Sequence, residues 1–331
     1  MTSRVCKARI LFLCICFCGM TQLVGCMQQK EAPENLSYAA EQIPVTYKAE
    51  TELLKKYPDM LNGEAVEIEY DFECKEYREL LCTYKIEEIA GDGTEFERVM
   101  RLVDEFAGRL VHESYYDNSI EENALALLEY SLDNPKHGIN CRAKAEILNE
   151  MCLALGIYAR SVSIMPYSSV DPDSHVVNEI YDTNLEKWIM VDLTTGGYVV
   201  DENDVPMSVL EIRQRGAAGA DCAFVYNGEK IGPEEYTTGW GDNLTYYMKN
   251  VFYFAVSKYQ GFGARNNFSD KVFFIPENFE LRNQMLSSYN ADMEFAKENP
   301  EYSDWIEDIE ANMSALRDVT LVVGDAETIY N

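Results

Sequence analysis

From Val66 to Phe72 apolar positions alternate with acidic ones: Val66, Ile68, Tyr70 and Phe72 against Glu67, Glu69 and Asp71. That period of two predicts a half-buried strand. Further on the period lengthens. Phe96, Val99, Met100, Val103, Phe106 and Leu110 fall at helical spacing with charges between them, predicting an amphipathic helix with His112 at its end. A shorter helix is expected from Glu122 to Leu132, before the Asn134-Pro135 break. Ala145, Leu148, Cys152 and Leu155 then mark the inward stripe of a third helix. Asn140 is a favoured N-cap and places Cys141 in the first turn. At the other end Gly156 suits the left-handed position, with Ile157 folding back onto Met151 and Cys152.

Beyond this helix the pattern returns to strands. Tyr158 to Met165 reads as one, with Ser161 and Ser163 against Val162 and Ile164. A polar loop, Pro166 to Ser174, leads to two more, His175 to Tyr181 and Lys187 to Asp192, joined by the turn Asp182 to Glu186. After Gly196-Gly197 the pattern loosens; helices are expected over Leu244–Lys258 and Glu280–Arg317, the second broken near Asn299-Pro300. The aromatic stripe Tyr247, Val251, Phe254 reads as buried packing.

The first residues change the picture. Arg4, Lys7 and Arg9 precede the apolar run Ile10 to Phe17, too short to span a bilayer, and small residues follow. The ending Leu23-Val24-Gly25-Cys26 resembles the bacterial lipoprotein box, which implies a signal peptide over residues 1–25 and lipidation of Cys26. More than one acyl chain on that residue would anchor the protein durably at the outer face of a membrane. Residues 26–47, rich in Gln, Glu, Pro, Asn and Ser, read as a tether. The formal net charge of −29 becomes about −32 once residues 1–25 are removed. A surface so acidic repels nucleic acid and anionic lipid. Five cysteines remain beyond the anchor: Cys74, Cys82, Cys141, Cys152 and Cys222. An odd number in an exported chain leaves at least one thiol outside any internal pair. Cys74 and Cys82 are open to either a disulfide or separate positions. No spacing suggests a structural metal.

Cys152 is explained as a small buried hydrophobe, whereas Cys141 is not. A thiol at the head of a helix meets free backbone donors and the positive end of the dipole, which favour the thiolate. A nucleophile of this kind needs a base, and the chain has three histidines: His112, His137 and His175. His112 is accounted for by the end of its helix, and nothing near His137 would orient its ring. For His175, a hairpin centred between Thr183 and Asn184 sets Asp192 directly opposite, where its carboxylate can hold the imidazole.

Cysteine on a helix followed by histidine and aspartate on neighbouring strands is the order found in the transglutaminase-like superfamily. The chain resembles that family at Asn140-Cys141-Arg142, Leu155-Gly156-Ile157 with Ala159-Arg160, His175-Val176-Val177-Asn178-Glu179, and Lys187-Trp188-Ile189-Met190-Val191-Asp192. The resemblance covers roughly residues 95 to 200. It implies an α+β, papain-like core with the nucleophile helix packed on an antiparallel sheet, followed here by a helical C-terminal extension. The corresponding division is a transglutaminase-like domain over residues 48–215 and an extension over 216–331 packed on it. Three departures bear on substrate geometry: Val177 where many members carry an aromatic residue, Leu193 in place of a common proline, and Gly138 three residues before the cysteine.

The implied chemistry is attack by Cys141 on an amide carbonyl, with His175 protonating the departing amine, Asp192 orienting His175, and water or an amine resolving the thioester. No cofactor is expected, and the expected substrate is extracellular protein or cell-wall peptide. Two other readings stand beside this one: a catalytically silent module tethered to the membrane, and a zinc site built from Cys141, His175 and Asp192. Asp201-Glu202-Asn203-Asp204 lacks the glycine and terminal glutamate of a calcium loop and reads as an acidic turn.

Overall fold

The structure is a computed structural model, and the described residues are 46–330 except 115, 172, 173, 234–243, 264–267 and 304. The signal peptide, most of the tether and Cys26 lie outside them. The N-terminal half is built from helices α1 (Tyr47–Lys56), α2 (Tyr77–Tyr84), α3 (Ile86–Ala90), α4 (Glu95–Phe106), α5 (Ala124–Asp133) and α6 (Cys141–Ala154), with a short strand β1 (Glu69–Tyr70). Strands β2 (Ala159–Met165), β3 (His175–Asp182), β4 (Lys187–Asp192) and β5 (Gly197–Asp201) follow, then α7 (Val209–Ala218), β6 (Cys222–Tyr226) and β7 (Glu229–Ile231). The remainder contains α8 (Leu244–Asn250), β8 (Tyr253–Ser257), β9 (Tyr259–Gln260), β10 (Lys271–Phe274), α9 (Leu281–Glu298), α10 (Trp305–Asp318), β11 (Val322–Val323) and α11 (Ala326–Tyr330).

Nine strands form the main sheet in the order β11-β10-β8-β2-β3-β4-β5-β6-β7, antiparallel except for the β10–β11 pair. The chain is α+β, with α6 packed on β2 and β3. Both faces of the sheet are covered. Ala159, Ile180, Ile189 and Val191 pack with α2 to α6, while Val162, Ile164, Val177 and Met190 pack with the C-terminal helices. Alternate residues of each strand therefore enter different cores, as the period of two requires.

Local signals account for the element ends near the site. The Asn140 side chain accepts from the Ala143 amide and caps α6. At its other end Ile157 N–H donates to the Cys152 carbonyl and Gly156 N–H to that of Leu153, with Gly156 at φ 74°. This is the paired bonding of a Schellman motif, and glycine is the residue that adopts it without strain. Two expectations fail. Only Glu69–Tyr70 of the 66–72 segment pairs, in parallel with β9. The helix expected over Leu244–Lys258 stops at Asn250, and Tyr253–Ser257 is a strand beside β2. Both faces of that strand are buried, so its apolar run carries no alternation to reveal it. The C-terminal third thus adds strands to the sheet as well as its helices.

A buried ion pair pins the chain's end to the centre of the sheet. Arg160 on β2 and Glu179 on β3 face each other in register, and Arg160 Nε donates to Glu179 Oε2 at 2.8 Å. The guanidinium lies 3.9 Å from the Trp188 ring centre and 4.6 Å from that of Tyr330, and it also donates to the Ile329 carbonyl. Glu179 Oε1 accepts from Tyr330 Oη and the Val209 amide. Removing one partner strands a charge in the core. Glu179→Ala should lower unfolding free energy by about 3–5 kcal/mol in urea titrations, with Arg160 left unneutralised.

Candidate functional site

Cys141 is the first residue of α6 and is fully buried, packed with Ala145 and Val176. The segment before it is positioned by a short pairing: His112 bridges Ile139 in parallel, the Glu113 amide donates to the Ile139 carbonyl, and the Ile139 amide donates to that of Val111. Gly138 permits this approach, since a Cβ there would lie 2.5 Å from Glu113 Cβ. Asn178 on β3 donates from Nδ2 to the Ala145 carbonyl at 2.8 Å, tying the helix to the strand that begins with His175.

The hairpin register differs from expectation. Asn178 faces Val191 and Asp182 faces Lys187, so the connection is Thr183 to Glu186 and its centre falls one residue later. Asp182 Oδ1 accepts from the Asn184 and Leu185 amides and fixes this longer turn. Moving the centre by one residue shifts the pairing by two, which keeps every side chain on its face. His175 and Asp192 are therefore diagonal neighbours rather than facing ones, still within reach of each other. His175 Nε2 donates to Asp192 Oδ2 at 2.7 Å, and both side chains are buried.

Among the described residues four donors reach the Asp192 carboxylate. Oδ1 accepts from the Thr194 amide at 2.7 Å and the Thr195 amide at 3.4 Å; Oδ2 accepts from His175 and from Tyr247 Oη, each at 2.7 Å. Burial pushes this carboxyl up, but His175, Tyr247 and the Thr194 amide outweigh it and hold the group down at about 2. The Asp-Leu-Thr-Thr sequence foreshadows the amide contacts, because aspartate at a strand end commonly binds amides two and three residues on. From its apolar stripe alone Tyr247 reads as packing. Its stripe carried one signal to the contrary: a buried tyrosine hydroxyl needs a partner.

Two more basic side chains border the site. Lys144 lies one turn along α6 from Cys141 and is buried; burial lowers its ammonium to about 8, against the pull of Asp192 and Cys141. His112 lies beyond the end of α4, not on it. Burial, then Lys144 and His175, lower its imidazole to about 3. His137 stands apart. Its Nδ1 donates to the Tyr130 carbonyl at 2.9 Å, Asn134 Nδ2 lies 3.3 Å from Nε2, and its ring stacks on Tyr130. That ring does have orienting partners, contrary to expectation, and they occupy both nitrogens.

The remaining candidates resolve differently. Cys74, Cys82, Cys152 and Cys222 are free thiols, so Cys74 and Cys82 form no disulfide. Asp201 caps its own turn through the Asn203 and Val205 amides and pairs with Arg215. Among the described residues no three His, Cys, Asp or Glu side chains are grouped to hold a metal ion.

The sequence model of the transglutaminase-like superfamily matches residues 83–193, a span containing Cys141, His175 and Asp192. Residues 83–193 are a transglutaminase-like domain. No curated protein matches the chain. Among solved structures, a "putative cysteine protease" from Cytophaga hutchinsonii is 19% identical over 50% of this chain and 55% of that one, with a TM-score of 0.29. A "putative protease" from Parabacteroides distasonis is 15% identical over 58% of this chain and 32% of that one, with a TM-score of 0.26. The chain thus spans less than two thirds of either neighbour, and the family assignment rests on the sequence model. Tyr247 and its helix α8 lie outside the matched span of the transglutaminase-like domain.

Because the folded domain keeps His112 neutral down to about pH 3, the unfolded chain binds its proton first as pH falls. This contribution to stability is complete above about pH 6.5 and is lost progressively as pH drops toward 3. His112→Gln should flatten the fall in melting temperature between about pH 6.5 and pH 4, read as the difference from wild type so that the carboxylates common to both proteins cancel.

Proposed function

We propose that this protein is a cysteine hydrolase or acyltransferase acting on amide bonds, with Cys141 as nucleophile, His175 as general acid and base, and Asp192 as the group that orients His175. The observation carrying this reading is the 2.7 Å bond from His175 Nε2 to Asp192 Oδ2. It commits Nε2 to the carboxylate and leaves Nδ1 as the nitrogen to serve a thiol. Family membership and the position of Cys141 at the head of α6 support the same assignment.

The reaction then runs as follows. Cys141 sulfur, as thiolate, bonds to the amide carbon and the carbonyl electrons move to oxygen; the Cys141 backbone N–H, at the free end of α6, is a donor for that oxyanion. The carbonyl re-forms, the C–N bond breaks, and His175 Nδ1–H gives its proton to the leaving amine. A water or a second amine surrenders a proton to Nδ1 as it bonds to the thioester carbon; the C–S bond then breaks, releasing a carboxylic acid or a new amide and leaving Cys141 as thiolate and His175 as imidazolium. Asp192 remains ionised throughout and stabilises the charged ring. With Cys26 lipidated, the domain would work at the outer face of a membrane on extracellular protein or cell-wall peptide.

The complete burial of Cys141 and His175 favours a second reading, a catalytically silent binding module on the same fold. An electrophile derived from a peptide amide separates the two. The enzyme reading predicts a covalent adduct mapped by mass spectrometry to Cys141 and absent from Cys152, whose thiol burial pushes up. Cys141→Ser should abolish the adduct, and His175→Ala should slow its formation by at least about 100-fold. A native protein that labels Cys141 no faster than Cys152 is the silent module.

A further inference from the structure

Asp192 Oδ2 accepts two hydrogen bonds of equal length, one from the imidazole and one from a phenol carried by a segment the family model does not cover. Tyr247 sits on α8, is buried, and packs its ring against Phe224 and, more distantly, His175. Thr195 Oγ1 lies 2.8 Å from the Tyr247 hydroxyl. With the phenolic proton directed at the carboxylate, Thr195 must be the donor in that contact. The result is a chain running from the Thr195 hydroxyl through Tyr247 to Asp192, meeting the His175 N–H at a single oxygen.

We infer that Tyr247 is a positioning residue for the Cys141–His175–Asp192 site, fixing the rotamer of the carboxylate and sharing its charge with His175. This rests on the catalytic reading above and adds that the C-terminal segment completes the site. The division of charge follows from hydrogen-bond chemistry. A second strong donor on the accepting oxygen draws electron density from the bond to the imidazole. Asp192 can then hold the ring's tautomer without binding its proton so tightly that transfer at Nδ1 is impaired. Packing alone would be served as well by phenylalanine, whereas the hydroxyl has bonds to two residues of the site.

Titratable groups border this oxygen from several elements. Lys144 on α6 and His112 in the segment paired with Ile139 are within electrostatic reach of Asp192, Cys141 lies within reach of Lys144, Tyr246 on α8 packs beside the His175 ring, and Tyr247 donates to the carboxylate. The two amides on Oδ1 are backbone groups that a side-chain change leaves in place.

The test uses Tyr247→Phe, which preserves ring volume, and Thr195→Val, which removes only the donor behind the phenol. Two readouts are taken on the full chain: the proton resonance of His175 Nε2–H by NMR, and the pH profile of Cys141 alkylation by iodoacetamide. Tyr247→Phe should move the Nε2–H resonance downfield, because Asp192 becomes a stronger acceptor. It should also shift the alkaline limb of alkylation upward by about half a unit to one unit. Thr195→Val should move both in the same direction by less. A Tyr247→Phe protein that stays folded with resonance and limb both at wild-type positions overturns the inference. If His175→Ala leaves the alkylation profile unchanged, the catalytic reading itself fails, while the Nε2–H resonance still decides whether Tyr247 tunes the His175–Asp192 bond.

Discussion

A carboxylate taken out of water is the constraint around which this site is organised. Burying an unpaired Asp192 would cost several kcal/mol, so the fold must bring donors to it. Those donors come from three places: His175 at the start of β3, the Thr194 and Thr195 amides just after β4, and Tyr247 on α8. Their arrangement fixes the end of the hairpin, the docking of α8 and the direction of the imidazole together. Loss of any one donor would be felt by the other two elements.

The same logic explains why the C-terminal segment is inseparable from the centre of the sheet. Arg160 and Glu179, on adjacent strands, are satisfied through Trp188 on β4, the Val209 amide at the start of α7, and Ile329 and Tyr330 at the end of α11. Nearer the site, the loop before His175 is held from the same side. Lys249 pairs with Asp171, Gln284 donates to the Tyr167 carbonyl, and Ser288 donates to that of Ser169. The strand carrying His175 is therefore fixed at its entry by α8 and α9 and along its length by α6. The family span supplies the three candidate residues, and chain outside it supplies much of what holds them still.

The parts of this arrangement legible in the sequence are those with local causes. Asn140 and Gly156 mark the limits of α6 because a cap and a left-handed residue are set by one side chain each. The period of two in β2 and the turn chemistry at Asp182 likewise act over a few residues. The hairpin register differs by two from the one the sequence suggests because Asp182 binds amides two and three residues on, which favours the longer turn. The face assignment survived because side-chain direction repeats every second residue. What sequence could not supply were pairings without a local cause. Tyr253–Ser257 is apolar on both faces and imitates a continuation of α8. His112 approaches the site through a bridge to Ile139, and Tyr247 reaches Asp192 from 55 residues away.

The ionisation of Cys141 is the property on which the proposed chemistry depends, and ultraviolet difference titration of the thiolate measures it directly, with wild-type protein read against Cys141→Ser. The account predicts thiolate absorbance that persists well below the ordinary thiol range near about pH 8.5, and that retreats toward that range in His175→Ala. Absorbance that develops only at or above about pH 8.5, and is indifferent to His175, would contradict it.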